Sequence, residues 1–118
     1  MAAAIGTTGW LDLTVDDADG ARDFYADVLG WRPEPVPMQD GAYADYTMMA
    51  GDIAVGGVCH KRGENAGMPS GWVPYFVVAS LEASLAAAVE RGATVVERRT
   101  QMAALRDPSG ATFAIWQG

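Results

Sequence analysis

The chain has 118 residues, half of them hydrophobic, with 15 acidic against 8 basic side chains and a net charge of −7. That length supports one domain with a sizeable core, and the acidic balance, without a basic stripe, argues against nucleic-acid and anionic-membrane partners. The one cysteine, Cys59, excludes an intrachain disulfide and points to a reducing compartment, so a cytoplasmic protein is expected.

The opening MAAAIGTTGW has neither a charged start nor a long apolar run, so no signal peptide is expected. No apolar segment approaches the ~20 residues of a bilayer span. Thr8 to Val15 reads as a strand, with Leu11, Leu13 and Val15 on one face and Trp10, Asp12 and Thr14 on the other. Asp17 is a good N-cap for a helix from Ala18 to Leu29. Ala21, Phe24, Tyr25 and Val28 form its apolar stripe, and Gly30 ends it.

Trp31 to Val36 is a second strand, and the prolines at 33, 35 and 37 suit a sheet edge. Ala42 to Met49 and Ile53 to His60 are the third and fourth strands, each preceded by a glycine-bearing turn. Residues 61–70, KRGENAGMPS, read as a connection, either a surface loop or a flexible flap. Gly71 to Val78 restarts the plan. Ser80 caps a second helix with Leu81, Leu85, Ala88 and Val89 inward, and strands follow at Ala93 to Glu97, Met102 to Arg106 and Ala111 to Trp116. Asp107-Pro108-Ser109-Gly110 is a tight turn. It lies in no nucleophile elbow.

The order strand, helix, three strands therefore occurs twice, with a period of roughly 60 residues. The expected fold class is α+β: two βαβββ modules forming a curled mixed sheet, helices outside and a central cleft. The expected organisation is a single domain, residues 1–118, with module one at 7–60, the connection at 61–70 and module two at 71–118.

The run Val15-Asp16-Asp17, Ala21, Phe24-Tyr25 and Val28-Leu29-Gly30-Trp31 resembles the signature of the vicinal oxygen chelate superfamily, which includes glyoxalase I, bleomycin-resistance proteins and extradiol dioxygenases. The ending Arg106 to Phe113 followed by Trp116 resembles the same family's last hairpin. In metal-dependent members the resemblance implies four ligands, one on each of four strands facing the cleft. The first, a His fourteen residues before the Phe of the Phe-Tyr pair, falls on Trp10. The others fall on Gly56 or Gly57, on Val73 (Trp72 if the register slips by one), and on Ala114. None is His, Glu, Asp or Cys, whereas a divalent catalytic site needs about three converging protein ligands. No metal and no other cofactor is therefore expected.

The only histidine, His60, reads either as a partly exposed side chain at a loop mouth or as a general base. Asp12 reads either as a structurally paired carboxylate or as a polar anchor or base in the cleft. These two are the weak catalytic candidates. Trp10, Tyr46, Trp72, Tyr75 and Trp116 are expected to line or flank the cleft with Asp12 and Thr14, and Met48 and Met102 to pack around a ligand. The leading expectation is metal-independent binding of a small aromatic or apolar, possibly cationic, molecule, as the bleomycin-resistance branch implies. The alternative is a lyase- or isomerase-type enzyme using Asp12 or His60 as base, with or without an atypically bound metal. A small-molecule ligand and a homodimer are the expected partners.

Overall fold

The computed structural model describes residues 4–118. The first three residues, on which the reading of the N-terminus partly rests, lie outside the described residues. Eight strands and two helices follow in the expected order, β1 (Thr8–Val15), α1 (Ala18–Leu29), β2 (Arg32–Met38), β3 (Tyr43–Ala50), β4 (Ile53–His60), then β5 (Gly71–Val77), α2 (Leu81–Glu90), β6 (Thr94–Arg98), β7 (Met102–Arg106) and β8 (Thr112–Trp116). This is an α+β chain with the βαβββ plan used twice and mixed parallel and antiparallel pairing. It divides into two compact units, Leu11–Trp72 with α1, and Val73–Gly118 together with the start of β1, with α2.

In the α1 unit the strand order is β2-β3-β4-β1, with β1 parallel to β4 and the other pairs antiparallel. Pro33, Pro35 and Pro37 alternate along β2, which still pairs with β3 over its whole length. A proline has no N–H to give, so the three must point their nitrogens away from β3. The free edge of β2 thus offers no donor at these positions, which blunts it against a further strand.

The side chain of Asp17 accepts the Gly20 N–H at 3.0 Å, and Gly30 takes the left-handed conformation that ends α1. Such a cap contributes about 1 kcal/mol. The helix buries Ala18 and packs Ala21 and Tyr25 against Leu13, Met48 and Val58. Phe24 and Val28 were assigned to the same inward stripe, but they are 57% and 60% exposed. At ~100° per residue the stripe is wider than the contact a helix makes with a sheet, and Ala18 and Tyr25 occupy its centre. Trp31 and Trp72 complete the core around Tyr25. The Tyr25 ring lies 5.9 Å from Trp31 and 5.2 Å from Trp72, and the Trp72 indole N–H donates to the Tyr25 hydroxyl at 3.0 Å.

The segment joining β4 to β5 is pinned rather than loose. It holds a short 3-10 turn at Gly63–Asn65, and Met68 is buried. The Lys61 ammonium donates to the Ser70 hydroxyl at 3.1 Å.

In the α2 unit the order is β1-β5-β8-β7-β6, with the start of β1 held by Val77 through hydrogen bonds to Gly6 and Thr7. The Ser80 hydroxyl accepts the Ala83 N–H at 3.2 Å, capping α2. Leu81 and Leu85 bury against Ala103, Leu105 and Ile115, while Ala88 packs at the margin. Val89, expected inward, is 55% exposed, for the same reason as Val28. The Asp107–Gly110 turn closes as expected. The Gly110 N–H donates to the Asp107 carbonyl at 2.9 Å, and the Asp107 carboxylate accepts from Ser109 and Ala111.

Candidate functional site

Strand register decides which side chains share a face. In the α1 unit Leu13 pairs with Val58, Val58 with Tyr46, and Gly56 with Met48, so Tyr46 and Met48 stand on the α1 side of the sheet. Trp72 packs there too. The expectation that Tyr46, Met48 and Trp72 face a ligand cleft is therefore corrected: Met48 is wholly buried core, and Trp72 is tied to Tyr25. The physical reason is that bulky side chains stand on both faces of β3, Tyr43 and Met49 on one and Tyr46 and Met48 on the other, so aromatic content alone could not orient it.

The opposite face of the α1 unit carries Asp12 and Thr14, paired with Gly57 and Cys59. Thr14 is buried and Asp12 half-buried. Gly57, buried and without a side chain, lies beside Asp12 in the sheet. In the α2 unit the helix-free face is defined by Tyr75 pairing with Ala114 and Ala114 with Ala104, and by Val77 and Met102 each pairing with Trp116. Ala104 and Ala114, both fully buried, thus lie beside the half-buried Tyr75 and Trp116 on this face. Trp10 is half-buried at the point where the two units divide the chain.

The α1 unit also assembles a polar network that the sequence indicated only through His60. The imidazole Nδ1 stands 3.3 Å from Asp45 Oδ1 and Nε2 3.8 Å from Asp19 Oδ1. A carboxylate only accepts, so Nδ1–H is the donor toward Asp45. Asp45 is buried and fully used. Its Oδ1 also accepts the His60 backbone N–H at 2.8 Å, and its Oδ2 accepts the Asn65 amide at 3.3 Å. The Tyr46 hydroxyl donates to Asp19 Oδ1 at 2.6 Å and accepts from Arg22 at 2.8 Å. The Asp19 carboxylate, then partial burial, holds the Tyr46 phenol above its ordinary pKa. Arg22, whose charge is reinforced first by its hydrogen bond to Asp23, lies 4.8 Å from the Tyr46 ring centre. Asp45 was the residue to suspect from sequence, as a carboxylate between Tyr43 and Tyr46 inside a strand. Asp19 and Arg22 gave no signal, because acids and bases in an exposed helical turn are ordinary.

The four positions at which the resemblance to the vicinal oxygen chelate superfamily implies metal ligands can be tested against these residues. Trp10 has no metal-binding group. A Cβ at Gly56 would lie 2.5 Å from the Leu11 carbonyl oxygen, so no side chain fits there. Val73 and Ala114 are buried hydrocarbon. Among the described residues no three His, Cys, Asp or Glu side chains are grouped to hold a metal. The donor set does not fit a divalent ion, and no chemical step is derived through one. No helix among the described residues is long and apolar enough to cross a membrane.

A family model described as "Glyoxalase-like domain" matches residues 10–116. The anthracycline biosynthesis protein DnrV of Streptomyces peucetius is 31% identical over 115 residues, 93% of this chain and 41% of its own length. CFP32 of Mycobacterium tuberculosis, which carries a glyoxylase name, is 30% identical over 120 residues, 95% of this chain and 46% of its own. The chain thus spans less than half the length of these relatives. Among solved structures, methylmalonyl-CoA epimerase from Mycobacterium tuberculosis has a TM-score of 0.58 at 18% identity, over 99% of this chain and 92% of that one. A variant of the Streptomyces coelicolor epimerase in complex with 2-nitronate-propionyl-CoA has a TM-score of 0.58 at 14% identity, over 98% and 99% of the two chains. At these identities the structures share the fold.

Proposed function

The chain belongs to the glyoxalase-like domain family, and within it we propose a metal-independent domain that binds a small aromatic or apolar molecule. The observation that carries this reading is the chemistry of the family's ligand positions, where Trp10, Gly56, Gly57, Val73 and Ala114 offer no donor. In the α2 unit, the half-buried Tyr75 and Trp116 are aromatic walls on the helix-free face beside the buried Ala104 and Ala114, with Met102 beside Trp116. Flat rings stack on such walls, and methionine adapts to their outline. Asp12, beside the buried Gly57 in the α1 unit, is a further polar anchor. The names of DnrV and its Streptomyces relative DauV support a polycyclic aromatic ligand, since an anthracycline is one. The charge of −7 favours a cationic one through attraction that salt weakens.

Thermal-shift and tryptophan-fluorescence titration with an anthracycline and smaller planar aromatics tests this. The expected result is a raised melting temperature that survives a chelator, with Trp116→Ala weakening binding roughly tenfold or more. Stabilisation by divalent metal alone, with no response to any aromatic compound, overturns it.

The second reading is acid–base catalysis of a lyase or isomerase step by Asp12 or His60. It is favoured by the contact between His60 and the buried Asp45, which fixes the imidazole and leaves Nε2 on the side of exposed Asp19. If turnover of a candidate substrate is found and persists after alanine replaces both residues, this reading fails.

A homodimer in the cytoplasm completes the proposal. Its contact would use a surface other than the β2 edge, and light scattering should return twice the 12.4 kDa of one chain.

A further inference from the structure

Trp116 is held first through its backbone. Its carbonyl accepts the Val78 N–H at 2.9 Å, and it pairs with Val77 on one side and Met102 on the other. The next residue is tied down as well. The Gln117 N–H donates to the Gln101 carbonyl at 2.8 Å, and the Gln117 side-chain oxygen accepts the Leu81 N–H at 2.7 Å. With the end of β8 fixed in this way, the orientation of the indole depends on what lies against the ring.

Two glycines lie there, both within the α2 unit. A Cβ at Gly9 would stand 3.5 Å from ring atoms Cε3 and Cζ3, and one at Gly118 would stand 3.6 Å from Cη2. The backbone at both positions therefore passes close to the six-membered ring of Trp116. Gly9 is the more constrained of the two. A Cβ there would also lie 2.9 Å from Cγ2 of Val77, closer than packed carbon atoms approach. Val77 has little room to yield. It is 5% exposed, β-branched, and bonded to β1 through the Thr7 carbonyl at 2.9 Å and the Gly6 N–H at 2.7 Å. Gly9 does not adopt the left-handed conformation, so no turn demands a glycine at this place. The close approach of β1 to Val77 and Trp116 demands it.

A ring already backed by a strand receives a stacked partner without losing rotamer freedom at that moment. We propose that Gly9 is a positioning residue for Trp116: it lets β1 back the indole in the orientation in which a planar aromatic ligand stacks on it. The assignment rests on the reading of this face as the binding site.

Fluorine NMR of the chain labelled with 5-fluorotryptophan, together with fluorescence titration by 9-aminoacridine, tests this. Gly9→Ala should move the Trp116 resonance and leave those of Trp31 and Trp72 in place. It should weaken binding about fivefold, the cost of ordering one side chain on binding. Adding Val77→Ala removes the methyl group that the new Cβ meets, so the double variant should recover both the resonance and the affinity. That variant also serves if Gly9→Ala alone does not fold. If the wild-type chain binds and Gly9→Ala binds equally well, the role of Gly9 is overturned while the aromatic face stands. A double variant as weak as Gly9→Ala overturns it too, because the loss then reflects general loosening. If the wild-type chain takes neither 9-aminoacridine nor an anthracycline, the face itself is overturned, and the role of Gly9 with it.

Discussion

The two units use one βαβββ plan and hold it together by different means. In the α2 unit the helix is attached mainly by hydrocarbon, Leu81 and Leu85 against Ala103, Leu105 and Ile115, with polar contacts at its N-terminal turn, where the Leu81 N–H donates to the Gln117 side-chain oxygen at 2.7 Å and Glu82 pairs with Arg98. In the α1 unit hydrocarbon is joined by an aromatic trio, Tyr25, Trp31 and Trp72, and by a chain of polar contacts from Asp45 through His60 and Asp19 to Tyr46 and Arg22. A helix lying on a sheet needs apolar area, and many side-chain sets supply it. Directional contacts are an addition, and they bring sensitivity to pH and a need for every buried polar group to keep its partner.

The largest effect is expected from breaking the hydrocarbon side. Leu105→Ala should cost about 2–5 kcal/mol in chemical denaturation. Because no ionisable group belongs to the Leu105 cluster, that loss should be the same at pH 6 and pH 9; a strongly pH-dependent loss would remove the contrast between the units.

Asp45→Ala strikes the polar side. It strands the His60 backbone N–H, the His60 ring and the Asn65 amide, and should cost about 1–3 kcal/mol. Hydrogen exchange should accelerate at His60 and across the 3-10 turn while α2 keeps its protection. Equal acceleration in both helices would show that the network is not local to its unit.

The smallest effect is the titration of Tyr46. The folded state holds the phenol's proton more tightly than the unfolded chain does, so its pKa is raised on folding. That contribution is fully present below the ordinary tyrosine value of about 10 and is lost as pH rises through the raised one. Stability of the native chain should therefore fall more steeply above pH 10 than that of Tyr46→Phe. Parallel curves would dissociate Tyr46 from the alkaline response.

Much of the architecture was legible because local signals agreed. Asp17 and Gly30 bracket α1, Ser80 starts α2, and the Asp107–Gly110 turn separates β7 from β8, each through contacts spanning a few residues. The alternation in β1 also separated Leu13 from Asp12 correctly. Phe24 and Val28 were misplaced because periodicity gives the direction of an apolar stripe but not the width of the surface that covers it. Tyr46, Met48 and Trp72 were misplaced because β3 carries bulky side chains on both faces and β5 lacks a polar face, and only pairing with neighbours orients such strands. Asp19 and Asp45 meet His60 from positions 41 and 15 residues away, a convergence that no spacing rule announces.

By itself the sequence determined the element order, the caps and turns, and which residue types stand where the resemblance implies metal ligands, since each depends on residue identity or on neighbours along the chain. The tertiary structure alone decided which face of β3 meets α1, that His60 has Asp45 as its partner, and that Gly63 lets Gln39 and Tyr43 approach the 3-10 turn closely. Those outcomes depend on strand register and on distances between residues far apart in the chain, and register is set only when the sheet forms.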